Sequence, residues 1–321
     1  MGSVVRVAET ANASFLALHP NSQFLYAVSE VPNGEVHAYA TEPVRGGLKL
    51  IDRASSQGAG PCHIALDATG AVAMTSNYAG GSVVALRIGD DGRFEGTAGF
   101  FQHTGSSMHP TRQTCPHPHG AFFAPGNRFV VVPDLGTDRL FIYELGAQNG
   151  SVTASHSFCN TRPGAGPRHF VFHPSGNYGY VVNEIDSTVT AFSYDPACGT
   201  LSPRITVSTL VPEFEGSNIA GEIEIDPDGK FLYESNRGAD TIAVFAVDSE
   251  GGLQMVESVP AGGRTPRHIA IDPSGEYLLA ANQESNCVVV FRRDREVGRL
   301  TPADSTIEVA APACLVFASP A

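Results

Sequence analysis

Three arginines, Arg168, Arg237 and Arg267, recur at related places in this chain, together with Glu184, Glu222 and one histidine, His119. A guanidinium fork binds carboxylate or phosphate through two parallel hydrogen bonds. A histidine that titrates near neutrality, with a carboxylate in reach, can exchange protons with a bound molecule. Together these residue types suit a small anionic ligand and general acid–base work upon it. Arg112, His63, Asn183 and Gln283 complete the candidate ligand contacts. There is no G-x-S-x-G elbow, no Walker loop, no G-x-G-x-x-G after a strand and no metal-ligand spacing. Covalent serine catalysis, nucleotide chemistry and metal chemistry are unsupported, so neither cofactor nor metal is expected.

The elements that must position these side chains form an internal repeat. Each copy has a short apolar strand, a Pro/Gly turn, and a second apolar strand ending in a polar cluster. The copies run from Phe15 to Glu30, His63 to Tyr78, Ala121 to Leu135, Phe170 to Glu184, Ile223 to Arg237 and Ile269 to Gln283. The turn position falls at 20, 68, 125, 174, 227 and 273, and is a proline everywhere except Ala68. A third apolar strand follows each polar cluster, and a fourth is clearest at 48–53, 152–158, 201–209 and 253–259. Four strands per repeat of about 45–50 residues is the pattern of a β-propeller blade. Val4–Glu9 reads as a lone outer strand and Cys314–Phe317 as a lone inner strand. The chain is therefore expected to be all-β: a seven-bladed β-propeller of four-stranded antiparallel blades, one blade incomplete at the N-terminus. A six-bladed ring is the competing reading. One propeller domain is expected over residues 1–321.

Residues equidistant from a hairpin turn face each other, so every blade brings two slots to the same end of the ring. Six residues before the turn position stand Ser14, Cys62, His119, Arg168, Gly221 and Arg267. Ten after it stand Glu30, Tyr78, Leu135, Glu184, Arg237 and Gln283. These slots are polar between apolar strands, and they predict a polar mouth around a central channel. The long connections 102–118 and 211–221 emerge on that face and bring Arg112 over the rim. Plainer roles compete at several positions. The Asn that recurs at the end of the second strand, Asn183 among them, reads first as a turn cap. His169 and His268 read as packing between blades, and Asp226 and Asp272 as turn residues. Glu184 is either a proton-transfer group or only a counter-ion. Three guanidiniums gathered at one mouth are harder to dismiss, because the chain carries a formal charge of −13.

That charge argues against nucleic acid and anionic membranes as partners, since phosphate contacts need a basic surface. No apolar run approaches the roughly 18–20 residues of a membrane helix. Six cysteines without a C-x-x-C pair read as reduced thiols of a cytoplasmic protein. A monomer or weak dimer is expected.

At these residues the sequence resembles the lactonase family of seven-bladed propellers, which contains 6-phosphogluconolactonases and carboxy-cis,cis-muconate cyclases. The matching stretches are Cys115-Pro-His-Pro-His-Gly120, Asp134-Leu-Gly-Thr-Asp138, Gly166-Pro-Arg-His-Phe-Val-Phe-His-Pro174, Val182-Asn-Glu184 and Tyr233-Glu-Ser-Asn-Arg-Gly238. Thr265-Pro-Arg-His268 and Ala281-Asn-Gln283 match as well. The start departs, because family members usually have further strands of the first blade before a segment like Val4–Glu9. The resemblance implies His119 as base and Glu184 as acid, with Arg168 and Arg237 holding carboxylates and stabilising developing negative charge. It implies metal-independent hydrolysis of a sugar lactone, 6-phosphogluconolactone first, with an arginine on the phosphate. A cyclase-type lactonising isomerase is the second enzyme reading, and a non-catalytic propeller that binds a protein is the third.

Overall fold

The computed structural model describes residues 5, 7–42, 47–146 and 150–318. Its strands make six four-stranded antiparallel sheets, each a simple meander in chain order. Contacts divide the chain into two compact units, one built on Val5–Asn160 and the other on Thr161–Leu315. Apart from one 3₁₀ turn, Gln283–Ser285, every named element among the described residues is a strand. No described helix is long and apolar enough to cross a membrane.

The first unit holds three sheets. They are β1 (Ala13–Leu18), β2 (Phe24–Ser29), β3 (Glu35–Glu42) and β4 (Gly47–Ser55); β5 (Pro61–Leu66), β6 (Val72–Asn77), β7 (Ser82–Ile88) and β8 (Phe94–Gln102); and β9 (Phe122–Phe123), β10 (Phe129–Asp134), β11 (Arg139–Leu145) and β12 (Val152–Asn160). The second unit holds the other three. They are β13 (Pro167–Phe172), β14 (Tyr178–Asn183), β15 (Thr188–Asp195) and β16 (Thr200–Ser208); β17 (Ile219–Ile225), β18 (Phe231–Arg237), β19 (Thr241–Val247) and β20 (Leu253–Pro260); and β21 (Pro266–Ile271), β22 (Tyr277–Asn282), β23 (Cys287–Arg293) and β24 (Leu300–Glu308).

The second and third strands of each sheet are the apolar ones, and they carry most of the core. Within the second unit, Tyr180, Val189, Ile223, Leu232 and Phe245 pack in one cluster between two sheets. Tyr233, Ile242, Ile269, Leu278 and Phe291 pack in the next. A tie absent from any periodicity argument crosses each of these contacts. A fully buried tyrosine of the second strand donates to a glycine carbonyl in the outer hairpin of the following sheet. The pairs are Tyr180 to Gly251 at 3.3 Å, Tyr233 to Gly298 at 2.9 Å and, in the first unit, Tyr26 to Gly92 at 2.9 Å. Gly298 sits at φ +76° with the Phe231 ring where a Cβ would be. Gly298→Ala therefore has to strain the backbone and displace that ring. It should destabilise the fold by about 1–3 kcal/mol, the usual range for overpacking, which a fall in Tm measured by calorimetry would show.

Two expectations are corrected here. Neither Cys314–Phe317 nor the described part of Val4–Glu9 forms a strand, and Val4 and Arg6 lie outside the described residues. A strand is defined by its hydrogen-bonded neighbour, and no described strand pairs with these segments. The hairpins, moreover, are not symmetric about their turns. In three sheets the pairing steps by one residue at the same place: Pro61↔Asn77 then His63↔Ser76, Pro167↔Asn183 then His169↔Val182, and Pro266↔Asn282 then His268↔Ala281. The extra residue of each bulge is Cys62, Arg168 or Arg267. A bulge re-aims the side chain it carries, so the chemically distinctive slot is also the irregular one.

Candidate active site

The second unit brings Arg168, Glu184 and Arg237 together. Arg168 is presented by the bulge in β13, Arg237 ends β18, and Glu184 lies one residue beyond β14. The Glu184 amide donates to Gly166 O at 2.7 Å, and its carbonyl accepts from the Ala220 amide at 3.0 Å. Arg237 Nη2 donates to Glu184 Oε2 at 2.8 Å and to Ala220 O at 2.6 Å. Arg168 Nη1 lies 3.7 Å from the same carboxylate oxygen, and its Nε donates to Gly221 O at 3.0 Å. Glu184 and Arg168 are 2% and 3% exposed, so this is a buried network in which one carboxylate serves two guanidiniums. Burial and the neighbouring Arg237 charge push the Arg168 guanidinium down to about 10.

Glu222 occupies a different position from the one expected of a substrate contact. Its carboxylate stands between two histidines, with Oε1 2.7 Å from His169 Nδ1 and Oε2 3.4 Å from His268 Nε2. Burial, reinforced by the Arg168 charge, pushes His169 well below its usual range. Burial takes His268 down to about 4 against the opposing pull of Glu222. His169, which the sequence reads as packing, is thus a hydrogen-bonding partner of Glu222, and His268 lies close to the same carboxylate. Asn183 turns to its own hairpin, donating to Thr188 Oγ1 at 2.9 Å and Thr190 Oγ1 at 3.0 Å. It is a turn cap rather than a ligand contact. Arg267 and Gln283 are half-buried.

Glu234 was not singled out from the sequence. It is fully buried in β18, accepts from the Gly221 amide at 3.3 Å and from Asn236 Nδ2 at 2.9 Å, and burial raises its carboxyl to about 8. A signal was present: Glu234 follows the apolar run Phe231-Leu-Tyr233 within the strand, where a carboxylate needs a reason to be there.

In the first unit His119, Tyr78 and Arg112 come together. His119 is held by its amide on Pro133 O at 3.0 Å, and its Nδ1 lies 3.8 Å from Cys62 Sγ, the bulge residue of β5. Its ring meets Tyr78 edge-on at 5.3 Å. His117 stacks on the same tyrosine at 4.3 Å, and Arg112 Nη2 donates to the Tyr78 hydroxyl at 3.2 Å. The loop that carries Arg112 and His117 is anchored by buried Asp134, which accepts from the His117 amide at 2.9 Å and pairs with His103 at 2.6 Å. His103 in turn contacts the Tyr143 hydroxyl at 2.6 Å, a support the sequence did not reveal. His63 is a correction: it is 3% exposed, lies between the Phe15 and Phe122 rings, and meets the Ala121 amide at 3.3 Å. Such a side chain packs sheets together and does not reach a ligand.

Buried arginines sharing one carboxylate can hold an anion and stabilise negative charge that develops on it. A buried histidine beside a tyrosine can exchange a proton. Among the described residues no group of His, Cys, Asp and Glu could hold a metal ion.

The family model described as "Lactonase, 7-bladed beta-propeller" matches residues 2–317. The 6-phosphogluconolactonase of Bacillus subtilis (strain 168) is 36% identical over 314 residues, covering 97% of this chain and 88% of that protein. The 6-phosphogluconolactonase of Formosa agariphila is 37% identical over 266 residues, 80% of this chain and 74% of that one. Among solved structures, a periplasmic gluconolactonase of Pseudomonas aeruginosa superposes with a TM-score of 0.92 at 31% identity, covering 98% of this chain and 90% of that one. With four-stranded antiparallel blades and the bulge-borne arginines in their repeat slots, the chain is an all-β propeller and belongs to the lactonase family.

Proposed function

We propose that the protein is a carboxylic ester hydrolase that opens a sugar lactone, 6-phosphogluconolactone to 6-phosphogluconate, without a metal. The observation that carries this reading is the buried Arg168–Glu184–Arg237 network, in which two guanidiniums share a single carboxylate. The names of the relatives supply the substrate class. In this scheme His119 takes the proton of the attacking water, and Arg168 and Arg237 stabilise the oxyanion that forms on the ester carbonyl. Glu184, a carboxylate at rest between the two guanidiniums, takes up a proton from solvent and delivers it to the leaving alkoxide, and the proton held by His119 is released afterwards. The roles of His119 and Glu184 rest on their repeat slots and on the family resemblance.

The seventh blade of the family description is likewise proposed. All six cysteines stand as thiols, which suits a reducing compartment, and the cytoplasm is proposed. A monomer or weak dimer is proposed for the assembly.

The test is a substrate panel in the presence of a chelator: 6-phosphogluconolactone, glucono-δ-lactone and a carboxymuconate. Turnover of a gluconolactone, competitively inhibited by inorganic phosphate, is expected. Arg237→Ala should lower kcat/KM by about 10–100-fold, mainly through kcat, the equivalent of losing a charge-assisted hydrogen bond of about 1.5–3 kcal/mol to the developing oxyanion. Activity on the carboxymuconate alone would make the protein a lactonising isomerase, and loss of turnover on chelation would remove the metal-free claim.

A further inference from the structure

The fourth and sixth sheets in chain order are built alike where their first two strands meet. Each has a Pro-Arg-His start with the arginine in the bulge, and each has a backbone hydrogen bond that closes the mouth of the hairpin. In one the Glu184 amide donates to Gly166 O at 2.7 Å; in the other the Gln283 amide donates to Thr265 O at 2.9 Å. The difference is chemical. Beside Arg168 the closing residue is a glutamate, and the two are ion-paired at 3.7 Å. Beside Arg267 it is Gln283, which carries no charge.

The second partner of Arg168 is missing as well. Arg168 Nε donates to Gly221 O, in the first strand of the next sheet. After β24 the chain forms no further described strand, and Arg267 has no hydrogen-bond or ion-pair partner among the described residues. It is half-buried, yet its charge is felt by Arg168, His169 and His268, pushing all three down. Arg168 and Arg237, by contrast, already share the counter-ion Glu184, and each also donates to a backbone carbonyl, of Gly221 and Ala220 respectively.

We infer that Arg267, with Gln283 beside it, is the phosphate-recognising element of the site, and that it sets the preference for a phosphorylated over an unphosphorylated lactone. The inference rests on the lactonase reading. A phosphate dianion would supply the counter-charge that the sixth sheet lacks, taking guanidinium donors in the bidentate manner. The neutral Gln283 amide offers a further donor without competing for the arginine.

The experiment compares wild type with Arg267→Gln and Gln283→Glu. The second variant installs in the sixth sheet the counter-ion that the fourth already has. The readout is the ratio of kcat/KM for 6-phosphogluconolactone to that for glucono-δ-lactone. Both variants should lower this ratio by about 10–100-fold, the worth of a lost charge-assisted hydrogen bond. Calorimetry with 6-phosphogluconate and gluconate should show the same loss of preference in Kd. An unchanged ratio, whether both substrates decline together or neither does, would overturn the inference and leave Arg267 as a solvated cation. A wild type that turns over neither lactone would sink the lactonase reading instead. The phosphate assignment would then stand or fall on whether Arg267→Gln selectively weakens 6-phosphogluconate against gluconate in the calorimeter.

Discussion

His119→Ala and Glu184→Gln are each expected to lower kcat for lactone hydrolysis by about 10²–10⁴-fold with a much smaller change in KM, the signature of lost general acid–base groups. Glu184 makes the sharper case because it also has a structural role. Its carboxylate accepts from Arg237 at 2.8 Å and lies 3.7 Å from Arg168, and all three side chains are buried. If neutralising those guanidiniums were its whole task, Glu184→Gln would reduce stability and leave turnover intact in the protein that remains folded. Steady-state kinetics on folded material, checked by circular dichroism and calorimetry, separates the two. Near-normal kcat in both variants would leave the proton-transfer assignment without support.

The second large effect concerns stability. Asp226 Oδ2 and Arg293 Nη1 meet at 2.9 Å, and both side chains are 0% exposed. The aspartate also accepts from the amides of Lys230 at 2.7 Å and Phe231 at 3.0 Å, so it closes the β17–β18 hairpin as well as pairing across to β23. Arg293 Nε donates to Gly275 O at 2.8 Å, tying the next hairpin into the same knot. Removing one member strands a buried charge, which typically costs about 3–5 kcal/mol. Arg293→Met and Asp226→Ala should each lower Tm by several degrees. The double replacement should lose less than the sum of the singles, because the pair's own desolvation cost disappears with it. Additive losses in a double-mutant cycle would show that the two side chains do not act as a pair.

The repeat was legible because blades are written in local code. Apolar triads such as Phe170-Val171-Phe172, Asp-Pro-x-Gly turns and regular spacing are all short-range signals. Asp226 was read from that code as a turn residue, which it is, but its partner Arg293 lies 67 residues away and belongs to another sheet. Periodicity carries no information about such a pair. The same limit explains His63, whose neighbours Phe15 and Phe122 come from two other sheets.

The candidate site was legible as slots rather than as geometry. Turn-centred counting put Arg168, Glu184 and Arg237 at one end of their sheets. It then faced Arg168 with Glu184 across a regular hairpin, where the chain makes a bulge. The bulge rests on long-range pairing that single-strand patterns do not record. Glu222 was assigned to substrate because nothing in the sequence shows that His169 and His268 reach it from two different sheets.

Proton stoichiometry offers the most direct measure of the central claim, because the two candidate reactions of the family move protons in opposite directions. Opening a lactone with water ends in a carboxylate and releases one proton per turnover near neutral pH. Closing a carboxymuconate to a lactone adds a carboxylate across a double bond and takes one proton up. A pH-stat trace of purified protein with fresh 6-phosphogluconolactone and a chelator therefore reads both the rate and the sign. The account predicts saturable proton release well above the spontaneous rate, and strongly reduced release with Glu184→Gln. Release no faster than in buffer, together with proton uptake from the carboxymuconate, would contradict it.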